Sequence, residues 1–148
     1  MVEFLASEST RPKIFQLAQQ LNFFQGKFKI RQSPKAGVGT NSLTFADGSI
    51  QNRITYTSSE DPSIRQLTAL FESISATLEF GRRLERLRQS NPQGLSAELK
   101  RAEQLSRRGR LVELRAIAPV VQQIASDGSL SETSRRYARA ILENSGSH

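Results

Sequence analysis

The stretch FGRRLERLRQS, Phe80 to Ser90, carries four arginines in eleven residues. A guanidinium is a planar, permanently charged fork that matches a carboxylate or a phosphate with paired hydrogen bonds. The chemistry on offer is therefore recognition of an acidic partner. At 100° per residue, Phe80, Leu84 and Leu87 fall within about 60° of one another and form an apolar edge. Arg82 and Arg86 point the opposite way, and Arg83 and Arg88 flank the edge. Glu79 lies one turn before Arg82 and Arg83, and Glu85 precedes Arg88. Such spacings allow intrahelical pairs worth about 0.2–0.5 kcal/mol each. The cluster thus reads as a solvated helix face, a protein-docking face or a phosphate-contacting face.

A second cluster, KRAEQLSRRGRLVELR, runs from Lys100 to Arg115. Arg107 and Arg108 occupy the last turn of a helix, where cations suit the negative end of the dipole. Arg110 follows at once, so the tip of this helical hairpin bears three arginines, a compact target for anions. A third candidate is the strand face Lys27, Lys29 and Arg31, with Lys35 beyond it. Neighbouring Phe23, Phe24 and Phe28 suggest stacking of single-stranded nucleic acid. The alternation puts Phe28 on the face away from the lysines, however, so an exposed edge strand guarded by charge explains the pattern better.

Other chemistries lack their reagents. There is no cysteine, and the one histidine is His148. Disulfides, thiolate metal sites, a Ser-His-Asp triad and a Cys-His pair therefore have no reliable member. Asp47 and Asp61 are explained by turn and cap duty; Glu98, Glu103 and Glu113 read as helix-surface partners of arginines. GVGT, Gly37–Thr40, has no G-K-[ST] and opens no helix, so it is a hairpin connection rather than a phosphate loop. DGSLS, Asp127–Ser131, aligned as half of a calcium loop, would put Ala125 third and Ser134 twelfth, where oxygen ligands and a bidentate acid are needed. No enzyme, metal or cofactor is expected.

A net charge of +7 favours an acidic partner: nucleic acid, acidic protein or anionic membrane surface. The segment Arg82–Arg115 alone holds ten cations and four acids, so the positive charge is concentrated there. Beyond residue 60, thirteen of fourteen cations are arginine, which suits forked contacts. The start of the chain lacks a basic region and a long apolar run, and nothing approaches a membrane span, so a cytoplasmic protein is expected.

Elements that could position these residues follow from capping and periodicity. Thr10 as N-cap and Pro12 in the first turn open a helix over Arg11–Phe23. Lys27–Gln32 alternates as a strand, and Asp47-Gly48 turns a β-hairpin whose inner face holds Leu43, Phe45, Ile50, Ile54 and Tyr56. Together these suggest a three-stranded antiparallel meander. Asp61-Pro62 opens a long helix to Gln89, with the stripe Ile64, Leu67, Phe71, Ile74 and Leu78 and a small-residue face of Ala69, Ser73 and Ala76. Ser90–Gly94 stops it. Leu95, Leu99, Ala102 and Leu105 mark the next helix, closed by Gly109. Leu111 to Ile124 follows, kinked or split at Pro119. A capping box from Ser129 to Glu132 opens a last helix to about Asn144.

The expectation is an α+β fold, mostly α: residues 1–60 as N-terminal helix and meander, 61–148 as a long central helix and helical hairpins, one compact domain overall. The function expected is a non-catalytic accessory or regulatory subunit docking on an acidic protein surface. The alternative is a DNA- or RNA-binding module using Arg82, Arg83, Arg86, Arg107, Arg108 and Arg110. The Ile64–Leu78 stripe could also be covered by a second copy of the chain.

Overall fold

A computed structural model describes residues 5–32 and 39–146. Lys35, Gly37 and Val38 of the loop and the terminal His148 lie outside the described residues. The chain is α+β and mostly helical. It falls into two compact units, residues 8–71 and residues 72 onward with the segment ending at Ser7.

In the first unit, α1 (Arg11–Gln20) begins with proline in its first turn; Thr10 precedes it without a side-chain cap. The helix is shorter than its periodicity predicts. Asn22, Phe23 and Phe24 adopt φ of 49°, 51° and 67°, a left-handed turn of three non-glycine residues. Each such residue costs roughly 1–2 kcal/mol. Packing offsets that cost: Phe24 is buried, Phe23 lies 4.7 Å from the Phe45 ring, and Asn52 Nδ2 donates to the Phe23 carbonyl at 3.1 Å.

The strand expected over Lys27–Gln32 contracts to β1 (Ile30–Arg31). The Ile30 N–H bonds the Phe28 carbonyl at 2.9 Å, a three-residue γ-turn that bends the chain at Lys29 and breaks the pairing before it. Among the described residues no three-stranded meander forms. The hairpin of β2 (Asn41–Asp47) and β3 (Ile50–Tyr56) stands as its own pair, and β1 pairs instead with β4 (Ser58–Ser59). The hairpin register sets Asp47 opposite Ile50, which leaves Gly48-Ser49 as the loop. Gly48 has φ 57°, the sign both primed turns require at their first position. Leu43, Ile54 and Tyr56 are buried and Phe45 half-buried, but Ile50 is exposed beside the turn, past the reach of the core. The Tyr56 hydroxyl meets Thr68 Oγ1, which in turn donates to the Ile64 carbonyl.

α2 (Pro62–Ser90) is the long helix, about 43 Å at 1.5 Å per residue. Asp61 Oδ1 caps it, accepting from the N–H groups of Ser63 and Ile64 at 2.9 and 3.3 Å. Ile64 and Leu67 join the core of the first unit; Phe80 and Leu84 join that of the second. Ala69 and Ala76, expected to permit close packing, are exposed. The close approach is at Gly81, where an added Cβ would lie 2.6 Å from Ile117 Cγ2.

The second unit continues with α3 (Pro92–Arg107), capped by Asn91, whose side chain accepts from the Gly94 N–H. Pro119 splits the next segment: Leu114–Ile117 is one 3₁₀ turn, and α4 (Ala118–Ser126) starts with the proline in its first turn. α5 (Glu132–Gly146) packs against both α3 and α4. Its cap is Ser131, whose Oγ accepts from the Ser134 N–H at 3.2 Å. Ser129 is drawn off by Asp127, which accepts from both its N–H and its hydroxyl. Ser129 is therefore not the cap, and Glu132 is free to pair with Arg135 and Arg139.

Candidate functional site

The arginines of α2 are answered unevenly. Arg82 and Arg86 both face Glu79, at 3.5 and 3.9 Å, and remain exposed. Arg83 turns toward α3: its Nε donates to Glu98 at 3.0 Å, and its guanidinium lies 4.5 Å from the centre of the Phe80 ring. Arg101 approaches the same ring at 5.9 Å, so arginines of two helices share one aromatic contact. Arg88 is a tie between elements. It donates hydrogen bonds to Glu85 at 3.1 Å and Gln123 at 3.4 Å and forms an ion pair with Asp127 at 3.6 Å, joining the end of α2 to the end of α4. The Arg88 hydrogen bond holds the Glu85 carboxyl below its ordinary range, and Glu85 in turn raises the guanidinium. The Asp127 carboxyl is lowered first by the Ser129 hydroxyl and N–H, then by Arg88.

α3 separates its charges by face. Leu95, Leu99, Ala102, Glu103 and Ser106 are buried. Lys100, Arg101, Gln104, Arg107 and Arg108 are exposed on the opposite side. At 100° per residue these five span about 120°, an arc with no acid in it. Arg107 pairs with the buried Glu103. Among the described residues, Lys100, Arg101, Arg108 and Arg110 enter no ion pair.

The end of α3 fixes where the last two of these cations go. The N–H of Gly109 bonds the Ser106 carbonyl at 3.1 Å and that of Arg110 bonds Leu105 at 2.9 Å. With Gly109 at φ 66° this is a Schellman closure, which needs a left-handed residue after the helix. Arg108 and Arg110 therefore flank a sharp, hydrogen-bonded turn, both exposed.

Arg83 is thus drawn to α3, and Arg108 and Arg110 share one turn. Arg82 and Arg86 keep to Glu79 on α2, and Arg107 keeps to Glu103 on α3. Lys27, Lys29 and Arg31 belong to the other unit. Arg31 pairs with Glu60 at 2.8 Å, Lys27 and Lys29 are exposed, and Phe28 and Ile30 are half-buried. Lys100 and Arg101 join the candidate residues; their i, i+1, i+7, i+8 relation to Arg107 and Arg108 is the signal that marks them in the sequence. Glu113 is a correction. It is neither helical nor an arginine partner, but a buried residue at φ 58° whose carboxylate accepts from the Ser7 N–H at 3.1 Å and hydroxyl at 2.7 Å.

Among the described residues, no group of three or more His, Cys, Asp or Glu side chains converges to hold a metal ion, and no helix is long and apolar enough to cross a membrane. No protein-family model, curated protein or solved structure matches the chain.

Proposed function

We propose that this protein is a non-catalytic accessory or regulatory subunit that docks on an acidic protein surface through the outer face of α3 and the turn that closes it. One observation carries the reading. Six carboxylates of the same unit are committed to neighbouring arginines: Glu79, Glu85, Glu98, Glu103, Asp127 and Glu132 all hold ion pairs. Lys100, Arg101, Arg108 and Arg110 are left to present charge outward. Exposed guanidiniums of this kind gain most from carboxylates set on a surface that excludes water around them.

The alternative reading, a DNA- or RNA-binding module, draws on the same arc. Salt separates the two. Nucleic-acid affinity falls steeply with salt, with a slope set by the phosphates contacted and for any sequence offered. The test compares the parent with the combined variant Lys100→Gln, Arg108→Gln, Arg110→Gln against a glutamate-rich peptide and a DNA duplex. Exposed substitutions of this type change stability by less than about 0.5 kcal/mol. Peptide affinity is expected to fall about tenfold or more, the equivalent of about 1.4 kcal/mol. An unchanged peptide affinity with a lost, steeply salt-dependent DNA affinity would favour the alternative; no change in either would remove both.

A further inference from the structure

The β2–β3 hairpin leaves a strand edge with no partner among the described residues. In a two-residue hairpin the pair closing the loop, here Asp47 and Ile50, is the hydrogen-bonded kind, and such pairs alternate along the ladder. The bonded pairs are then Phe45 with Asn52, Leu43 with Ile54 and Asn41 with Tyr56. The N–H and C=O groups of Ser42, Thr44 and Ala46 point away from β3. The short contact between the Ser42 and Thr55 hydroxyls, 3.0 Å, fits the closer side chains of a non-bonded pair.

The other side of the hairpin is treated differently. Beyond the end of β3, the Thr57 N–H donates to the Arg31 carbonyl at 2.7 Å, and Gln32 Nε2 donates to the Thr55 carbonyl at 3.1 Å. The rest of that edge carries Arg53. Charge, proline and bulges are the usual guards of an open edge. β2 reads NSLTFAD: no lysine, arginine or proline, and its one charge is Asp47 beside the turn.

We propose that the free edge of β2 pairs antiparallel with β2 of a second copy of this chain, about a two-fold axis through Thr44. The register is self-complementary. Thr44 faces its own copy, Ser42 faces Ala46, Leu43 faces Phe45, and Asp47 faces Asn41. The outward groups of Ser42, Thr44 and Ala46 then close six backbone hydrogen bonds across the axis. Leu43 and Phe45 fall in close, non-bonded pairs on the inner face, where an aliphatic–aromatic contact covers the exposed part of the half-buried Phe45. No like charges meet. Each Arg53 lies beside its own Thr44 and reaches over its own β2, where it donates to Ser42 Oγ at 3.3 Å. In the paired register Ser42 and its copy stand four residues apart along the strands, so the two charges are separated by about 14 Å. That exceeds the screening length of about 8 Å at physiological salt. Two-stranded sheets are marginal alone, and this pairing makes one of four strands. Because the same edge is used on both sides, association closes at two and builds no filament.

The whole chain is measured by sedimentation across a dilution series, with hydrogen exchange at the top and bottom. A mass of twice 16.5 kDa at the concentrated end is expected, with the Ser42, Thr44 and Ala46 amides protected only there. Thr44→Lys places like charges across the axis, and Thr44→Pro removes an outward N–H; both are expected to give monomer with the Leu43 and Phe45 amides still protected. Thr44→Cys in this cysteine-free chain is expected to cross-link under mild oxidation. A bonded pair about 5.5 Å apart fits a disulfide, and Gln51→Cys on β3 is expected to stay uncoupled. A mass of 16.5 kDa throughout would overturn the proposal. So would a dimer that survives both Thr44→Lys and Thr44→Pro, or an edge that is protected only by an added extended peptide.

Discussion

Gly81 shows how one missing methyl decides a packing distance. Inside a helix, glycine is about 1 kcal/mol worse than alanine, so propensity alone favours Gly81→Ala. The structure opposes it, since the new Cβ would meet Ile117 Cγ2 at 2.6 Å and Ile117 Cβ at 3.3 Å. Isoleucine is stiff at χ1 and Ile117 is buried, so the contact is not relieved by swinging a side chain away. Overpacking of this kind costs about 1–3 kcal/mol, and the clash is expected to win. Urea unfolding should find Gly81→Ala less stable than the parent by about 1 kcal/mol. In an Ile117→Ala background the same change should turn neutral or stabilising; equal effects in both backgrounds would show that the two residues do not press on each other. The sequence contains this glycine in plain view, yet its small-residue face points to Ala69, Ser73 and Ala76. Which small residue is pressed depends on where Ile117 arrives, and that is a contact across thirty-six positions of chain, outside any helical period.

At the scale of elements, ends were more legible than partners. Asp61-Pro62 opens α2 where capping chemistry puts it, and the two bonds accepted by Asp61 Oδ1 show why. Asp61→Ala is expected to lower stability by about 1 kcal/mol and Asp61→Ser by much less, measured by thermal unfolding. Equal losses would mean that the cap is not the reason for the aspartate. Strand Lys27–Gln32 was less legible: its alternation is real, but the bend at Lys29 comes from a local backbone bond that periodicity does not register. The cap of the last helix lies two residues beyond Ser129, at Ser131, because Asp127 takes the hydroxyl that the capping box would have used. Two polar side chains competed for one serine, and geometry chose between them. On α3 the apolar stripe and the cationic arc are two sides of the same 3.6-residue period, so both are written in the sequence. The Schellman turn then aims Arg108 and Arg110.

Across the whole molecule, acid is the condition that tests the charges together. Asp127 and Glu85 have carboxyls held below their ordinary range. A depressed carboxyl contributes stability that is complete above the unfolded value, near pH 4, and is lost as pH falls through the folded one. The chain also holds 21 lysines and arginines against 14 acids, so neutralising the acids leaves strong self-repulsion. The thermal midpoint is expected to fall progressively between about pH 5 and pH 2. Asp127→Asn should be less stable at neutral pH and fall less steeply. A midpoint unchanged over that range would contradict the role given to the Arg88 tie.

The helices with most of their ends, the turn of the hairpin, the concentration of cations between Arg82 and Arg115 and the lack of thiols can all be read from residue order alone. Each depends on residue type or on neighbours within one or two turns. Folding in three dimensions was needed to show that Glu113 holds Ser7, 106 positions away, that Glu103 is buried beneath an exposed Arg107, and that Arg82 pairs with Glu79 while Arg108 has no ion pair among the described residues. Those outcomes rest on which side chains reach each other after packing. Packing brings together residues whose separation along the chain carries no period to read.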